Sequence, residues 1–185
     1  MRFDDEHVMF FAEQELMARH AAALIPAPGA GDVLEIGFGL GVCALEINLR
    51  APRTYLCVEL HPVVARMAGH ILRAFGHPCE VIQGPWQTSL PARRTFDAVM
   101  VDSFPPPGWA DEDFLVFVEQ AVPEILRPGG RFSFFCCGDE LNPVRRAALD
   151  RTFSQVSVSP HTIGGTMPTA WSLPSNQFLV HACLR

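Results

Sequence analysis

Hydrophobic and polar positions along this chain switch repeatedly between two periods. Residues 7 to 24 place apolar side chains at the spacing of an amphipathic helix and are rich in Ala, Leu, Met, Glu and Gln. The run DVLEIGFG from Asp32 is a short apolar stretch that meets glycines, which is typical of a buried strand. Helical spacing resumes in GVCALEINLRA, so the pattern predicts a first β-α unit at 32 to 51.

The same switching continues toward the C-terminus. Further strands are predicted at 54 to 60, 79 to 84, 96 to 102, 131 to 137, 155 to 163 and 176 to 184, and helices at 61 to 76, 111 to 127 and 142 to 153. Strands that alternate with helices imply parallel pairing through right-handed crossovers. The predicted fold is α/β, a doubly wound and mostly parallel sheet.

The domain organisation follows from the absence of any long linker or repeat. We expect one domain over residues 1–185. Within it, residues 1–28 are predicted to form an N-terminal helical lid segment, and residues 155–185 to supply C-terminal strands and a substrate-side loop. Turn residues between Ile25 and Asp32 separate the lid from the first strand.

Composition and charge narrow the classes of partner. Hydrophobic residues make up 49% and charged residues 18% of the 185, enough for a buried core. The formal net charge of -6 argues against a nucleic-acid binder, which needs a basic surface. The N-terminus is acidic where a signal peptide is basic, and no apolar run approaches the length of about 18 residues that a membrane span requires. We expect no nucleic acid, no membrane and a cytoplasmic location.

The absence of lysine and the spacing of the cysteines exclude two kinds of site, a lysine nucleophile and a zinc site. All fourteen basic residues are Arg, so lysine nucleophiles are ruled out. The six cysteines show neither a C-x-x-C pair nor the histidine spacing of a zinc site, and most lie in apolar runs. No metal is expected.

A glycine turn and two acids predict the ligand. Gly37, Gly39 and Gly41 lie between a strand and a helix, where a backbone can approach a ligand closely, although a plain tight turn fits them equally well. The spacing departs from the dinucleotide pattern G-x-G-x-x-G. Glu35 would repel a pyrophosphate but can accept hydrogen bonds from an ammonium group, and Glu59 can accept two ribose hydroxyls. Together they describe a nucleoside that carries an amino acid and no phosphate, as S-adenosylmethionine does.

Four segments carry a family resemblance. VLEIGFGLG, CVEL, FDAVMVDSFP and LRPGGRFSFF resemble motifs I, post-I, II and III of class I S-adenosylmethionine-dependent methyltransferases. Within that superfamily, E-x-G-F-G, I-Q-G-P-W and D-S-F-P are most similar to guanidinoacetate N-methyltransferase and its arginine-methylating relatives. The resemblance implies a Rossmann-like fold, S-adenosyl-L-methionine as cofactor, and methyl transfer to a guanidino or amino nitrogen of a small molecule.

The resemblance also implies residue roles. Glu15 lies twenty residues before Glu35, the spacing of that family's substrate-binding glutamate, so Glu15 and Asp102 are predicted to be catalytic and to hold a guanidino group. A guanidinium offers a planar fork of donors that carboxylates accept in paired hydrogen bonds. The predicted substrate contacts are Glu15, Asp102, Ser103 and Phe104. The predicted cofactor contacts are Glu35, Gly37, Phe38, Gly39, Gly41, Glu59, Leu60, Gly84, Pro85, Trp86 and Asp102.

From the residues alone, other interpretations stay open. Glu15 also fits an ordinary polar helix position, Asp102 a loop cap and Trp86 a core aromatic. The segment from Gly164 to Phe178 could line the acceptor pocket through His161, Trp171 or Asn176, or pack as a loop. A possible homodimer would close the site.

Three other functions fit part of the pattern. A spermidine-synthase-like aminopropyltransferase shares the V-D-S and proline-rich loop, and a tRNA-modifying methyltransferase shares the strand before Asp102. A non-catalytic methyltransferase-fold subunit would lose the first acid or the glycines, which are all present here.

Overall fold

The computed structural model describes residues 2–3, 6–7, 11–29, 31–103, 111–138, 140–164 and 177–185. Strands β1 to β9 cover Arg2–Phe3, Glu6–His7, Asp32–Ile36, Thr54–Glu59, Cys79–Gln83, Phe96–Val101, Leu126–Phe134, Gln155–Thr162 and Gln177–Leu184. Helices α1 to α7 cover Gln14–Leu24, Val42–Leu49, Pro62–Ile71, Trp86–Ser89, Asp111–Val116, Val122–Ile125 and Pro143–Thr152. Short 3-10 turns cover Phe11–Glu13 and Leu72–Ala74, and a π-helical segment covers Phe117–Ala121.

Seven strands form the main sheet in the order β5-β4-β3-β6-β7-β9-β8. Strands β3 to β7 pair in parallel, whereas β9 is antiparallel to both β7 and β8. The predicted doubly wound, mostly parallel sheet is therefore confirmed. The strand order reverses at β3, with β4 on one side and β6 on the other, and ligands bind at such a switch point beyond the carboxyl ends of the strands.

Helices cover both faces of the sheet and bury two hydrophobic clusters. One cluster joins α1, α2 and α3 to the sheet through residues such as Leu16, Ile47 and Tyr55. The other joins α5, α6 and α7 through residues such as Phe132 and Leu149. Strands β3 and β4 are buried along almost their whole length, because an interior parallel strand has helices on both sides. No helix in the described part of the chain is both long and apolar enough to cross a bilayer.

The first helix differs from the predicted one. Helix α1 begins at Gln14 rather than near residue 7, because a 3-10 turn precedes it and Glu6–His7 pairs with Arg2–Phe3 as a short ribbon. Residues 1, 4, 5 and 8–10 of the predicted lid lie outside the described residues.

The predicted helix at 111 to 127 is broken by the π-helical segment just before Pro123, since proline has no N–H to continue the regular ladder. It ends at Ile125, and β7 already starts at Leu126. Pro128, Gly129 and Gly130, residues typical of a turn, therefore lie inside β7, where the pairing with β6 shifts register as a bulge.

Candidate active site

The glycine turn after β3 brings two chain segments into contact. Gly37 has a φ of +88° and its N–H donates to the Val58 carbonyl at 2.9 Å. A Cβ at Gly37 would overlap the carbonyl oxygen of Asp102, so only glycine lets β3 end this close to the end of β6. Gly41, with a φ of +79°, precedes α2 and leaves room for the Phe38 ring. The glycine turn therefore lies at the carboxyl edge of the sheet, directly beside the Asp102 backbone.

Glu59 joins the glycine turn to β4 at the same edge. Its carboxylate accepts hydrogen bonds from the N–H groups of Phe38 at 2.8 Å and His61 at 2.6 Å. Each carboxylate oxygen keeps a further lone pair, so Glu59 can still accept a hydrogen bond from a ligand hydroxyl. The Gly84 N–H donates to the Glu59 carbonyl at 2.9 Å, which places the Gly84-Pro85-Trp86 turn next to it.

The carboxyl groups of Glu35 and the half-buried Asp102 lie close together beneath the turn. Glu35 is fully buried, and the Tyr55 hydroxyl donates to its Oε2. Oε1 of Glu35 and Oδ2 of Asp102 are buried and have no hydrogen-bond partner among the described residues. One oxygen of each acid and the Cys43 Sγ lie within 4.8 Å of one another. A buried carboxylate without a donor is unfavourable, so this cluster is shaped for a cationic or hydrogen-bonding ligand.

The electrostatics agree with that geometry. Burial raises the pKa of Glu35 well above its usual range, the nearby Asp102 raises it further, and the Tyr55 hydrogen bond opposes the rise. Burial likewise raises the pKa of Asp102 to about 7, with a further contribution from Glu59. A bound cation would favour the charged forms of both acids and so lower both pKa values.

The structure brings most predicted cofactor residues to one edge. The residues that meet there are Glu35, Gly37, Gly39, Gly41, Glu59, Gly84, Pro85 and Asp102. Leu60 follows Glu59 and is exposed, whereas the Phe38 ring is buried in the core, so only the backbone of Phe38 can face a ligand. Trp86 is half-buried, and its ring packs edge-on against Phe117 with centroids 4.9 Å apart.

The predicted substrate contacts are only partly covered by the described residues. Ser103 is half-buried beside Gly37. Phe104, Trp171, Asn176 and the prolines at 105 to 107 lie outside the described residues. His161 is buried, and its Nδ1 lies 3.3 Å from the Arg19 guanidinium.

One buried acid that sequence reasoning missed is Glu13, just before α1. Glu13 is 2% exposed at the end of the 3-10 turn before α1, whereas Glu15 is exposed on α1. After burial and Cys136, the charges of Glu13 and then Asp102 raise the pKa of the Cys137 thiol to about 12. The role predicted for Glu15 stays a prediction, and of the two carboxylates only Glu13 is buried.

A sequence signal for Glu13 was available. The buried positions of α1 are 16, 17, 20, 21 and 24, and position 13 continues this series at the three- and four-residue spacing. Position 15 lies off that stripe. The family's spacing to Glu35 favoured Glu15, whereas helical periodicity places Glu13 on the buried face.

A match to a protein-family model identifies the family of this chain. The family model of guanidinoacetate N-methyltransferase matches residues 6–161. The chain belongs to the guanidinoacetate N-methyltransferase family. Membership confirms, at the level of the family, the predicted enzyme class and its cofactor: these are S-adenosylmethionine-dependent N-methyltransferases.

Curated relatives of this family member are protein arginine N-methyltransferases. Protein arginine N-methyltransferase 2 of Aspergillus fumigatus is 36% identical over 140 residues, which cover 71% of this chain and 31% of that protein. The protein of the same name from Saccharomyces cerevisiae is 31% identical over 140 residues, covering 69% of this chain and 32% of that protein. The chain spans about a third of the length of the curated relatives it matches.

Solved structures share the fold of this family member. The N-methyltransferase NodS from Bradyrhizobium japonicum, in complex with S-adenosyl-L-homocysteine, has a TM-score of 0.69 at 13% identity, covering 95% of this chain and 88% of its own. Spermidine synthase from Thermotoga maritima has a TM-score of 0.61 at 19% identity, covering 94% of this chain and 54% of its own. At these identities the likeness concerns the fold alone.

Proposed function

We propose that the protein binds S-adenosylmethionine at the carboxyl edge of β3, β4 and β5 and transfers its methyl group to a guanidino nitrogen. The observation that carries this proposal is a pair of acids at that edge: Oε1 of Glu35 and Oδ2 of Asp102 are buried without a hydrogen-bond partner among the described residues. One of them, Asp102, also faces the glycine turn. The acceptor and the methyl donor would therefore meet at Asp102.

The side chains present suit the cofactor. Oε1 of Glu35 is free to accept from an ammonium group, and Glu59 retains lone pairs for ribose hydroxyls. The turn at Gly84 and Pro85, with Trp86 beside it, offers a backbone and a ring for the base. When bound, S-adenosylmethionine supplies a methyl carbon activated by a sulfonium sulfur.

Asp102 and Glu13 would orient the acceptor and take its proton. A guanidinium is planar, and two carboxylates from different segments can fix that plane through charge-assisted hydrogen bonds. The attacking nitrogen needs a free lone pair as the new N–C bond forms and the S–C bond breaks. A carboxyl group with a pKa of about 7 is well matched to accept the released proton near neutral pH.

Two classes of substrate contain a guanidino group: small molecules and arginine residues of proteins. The family description names guanidinoacetate, and the curated relatives are named for arginine in proteins. We would measure methyl transfer to guanidinoacetate, free arginine, agmatine and an arginine-containing peptide, with alkyl amines and thiols alongside. We expect transfer to at least one guanidino compound and none to the amines or thiols. Cofactor binding without transfer to any guanidino compound would contradict the proposed acceptor.

The two acids at the start of α1 provide a matched pair of variants. We expect Glu13→Gln to lower turnover by about a hundredfold and to raise KM for the acceptor, because the guanidinium loses one charged partner. We expect its cofactor Kd to stay within about twofold, since Glu13 belongs to the turn before α1 and not to the strand ends that carry the predicted cofactor contacts. Steady-state kinetics and calorimetry with S-adenosylhomocysteine would measure both.

Glu15→Gln is the control, because it changes an exposed carboxylate two residues away. It should behave like the wild type. If Glu15→Gln instead lost as much turnover as Glu13→Gln, the acceptor role would return to Glu15.

A further inference from the structure

The buried phenol of Tyr55 has no part in the chemistry described so far. We propose that Tyr55 is a positioning residue for the amino group of the bound cofactor, acting through Glu35. This inference rests on the proposed function, because it assigns a residue to the cofactor half of the same site. It concerns the direction in which the Glu35 carboxylate presents its oxygens.

Sheet register places Tyr55 below Glu35. Val33 of β3 pairs with Tyr55 of β4, and Glu35 pairs with Cys57. Residues two apart on a strand share a face, so the Tyr55 and Glu35 side chains lie on the same side of the sheet. The long Tyr55 side chain lies along the strand direction, and its hydroxyl reaches Oε2 of Glu35. Both residues are fully buried.

This contact leaves one carboxylate oxygen for a ligand. With Oε2 engaged by the phenol, Oε1 is the oxygen without a partner among the described residues. An oxygen of Asp102 and the Cys43 Sγ lie within 4.8 Å of the Glu35 carboxylate. A phenol has a single hydrogen to donate, so it holds one oxygen and directs the other toward the space beside Asp102.

The other groups around Glu35 cannot replace the phenol. Those that influence its ionisation are Cys43 on α2, Tyr55, Cys57 and Glu59 on β4, and Asp102 after β6. None of these is a cation, and thiols are weak donors. The Tyr55 hydroxyl is thus the main protein group that favours the charged form of Glu35. Only a charged carboxylate attracts an ammonium group strongly.

The test is Tyr55→Phe, which removes the hydroxyl and keeps the ring. Two ligands are compared by calorimetry over a range of pH: S-adenosylhomocysteine, which has the amino group, and 5′-methylthioadenosine, which lacks the whole amino-acid portion. We expect the Kd for S-adenosylhomocysteine to rise about tenfold and that for 5′-methylthioadenosine to change by less than about twofold. We also expect the pH at which S-adenosylhomocysteine affinity develops to move upward in the variant.

Two further variants separate positioning from general stability. Leu56→Val trims a buried residue on the opposite face of β4 and should lower stability without moving either the pH profile or the ratio of the two Kd values. In a Glu35→Gln background, Tyr55→Phe should have no further effect on that ratio.

The outcomes are distinct. Equal loss of both ligands in Tyr55→Phe, or no loss of either, would overturn the positioning role while the proposed function stands. A wild-type protein that does not bind S-adenosylhomocysteine would instead overturn the proposed function, and this inference with it.

Discussion

Asp102 is the residue whose protonation we expect to respond to ligand binding. Its pKa of about 7 lies above the usual value of 3.8, because burial and Glu59 disfavour the charged carboxylate. A carboxyl group whose pKa is raised by folding binds protons more tightly in the folded state. The folded protein therefore loses stability as pH rises from about 4 through about 7, where Asp102 ionises. A bound cation offsets that loss.

At the residue scale, we expect cofactor affinity to increase as pH rises through about 7, with protons released on binding. Calorimetry in two buffers of different ionisation enthalpy measures the proton release directly. Asp102→Asn should flatten this part of the pH profile and lower turnover. An affinity that is independent of pH between about 6 and 8 would show that Asp102 does not titrate in the free protein.

Among the elements, α1 is held to the sheet by a buried polar contact. Nδ1 of His20 lies 2.7 Å from the Ser133 Oγ on β7, and the Ser133 hydroxyl donates to the carbonyl of His181 on β9. Because the hydroxyl hydrogen is used there, His20 must donate from Nδ1, which assigns its tautomer. Burial lowers the pKa of His20 to about 3 and that of His181 to about 4. Both rings are therefore neutral in the folded protein.

Neutral buried histidines make α1 docking sensitive to acid. The stability that neutral His20 and His181 contribute to the fold is complete above pH 6.5, the pKa of an unfolded histidine. It is lost as the pH falls toward their pKa values in the folded protein, about 3 and about 4. Since Glu13 lies just before α1, this docking also positions the carboxylate proposed to hold the acceptor. Helix α1 thus links fold stability to the geometry of the proposed acceptor site.

At the element scale, we expect Ser133→Ala to lower the free energy of unfolding by about 1 to 3 kcal/mol, because a buried His20 nitrogen loses its partner. Urea denaturation near neutral pH measures this. Ser157→Ala removes an exposed serine contact to the Ala182 carbonyl on the β8-β9 hairpin and should cost less than about 0.5 kcal/mol. Equal effects of the two variants would mean that the buried contact adds nothing.

Across the whole molecule, the two edges of the sheet treat acids in opposite ways. At the carboxyl edge, Glu35 and Asp102 have raised pKa values. At the amino edge, Arg53 donates to both oxygens of Asp32 at 2.9 and 2.6 Å, and Arg127 donates to Asp32 at 3.1 Å and to Asp97 at 2.6 Å. The hydrogen bond from Arg53 contributes most to holding the pKa of Asp32 well below its usual range. Ion pairs thus stabilise charged acids at the amino edge, whereas the proposed ligand chemistry lies at the carboxyl edge.

At the scale of the whole molecule, Asp32→Asn should lower the free energy of unfolding by about 1 to 3 kcal/mol above pH 4 and leave cofactor Kd unchanged. The loss should shrink as pH falls below about 4, because a depressed pKa stabilises only while the acid is charged. Glu119→Gln, which breaks the exposed pair with Arg151, is the control and should cost less than about 0.5 kcal/mol. A large rise in cofactor Kd in Asp32→Asn would contradict the separation of the two edges.

Sequence patterns by themselves determined the succession of strands and helices, the glycine turn and the acids at the ends of β3, β4 and β6. These features are local, since period, turn chemistry and strand ends are read within a few neighbouring residues. The order of motifs also carried the family, which the match over residues 6–161 confirms.

Only the tertiary structure decided which side chains meet. Tyr55 reaches Glu35 because β4 pairs with β3 in one register, and the chain segments themselves do not state that register. Glu13 rather than Glu15 is buried because packing against the sheet selects one face of α1. The bulge in β7 arises in the same way, from its pairing with β6. Such contacts depend on packing in three dimensions, so local periodicity leaves them open.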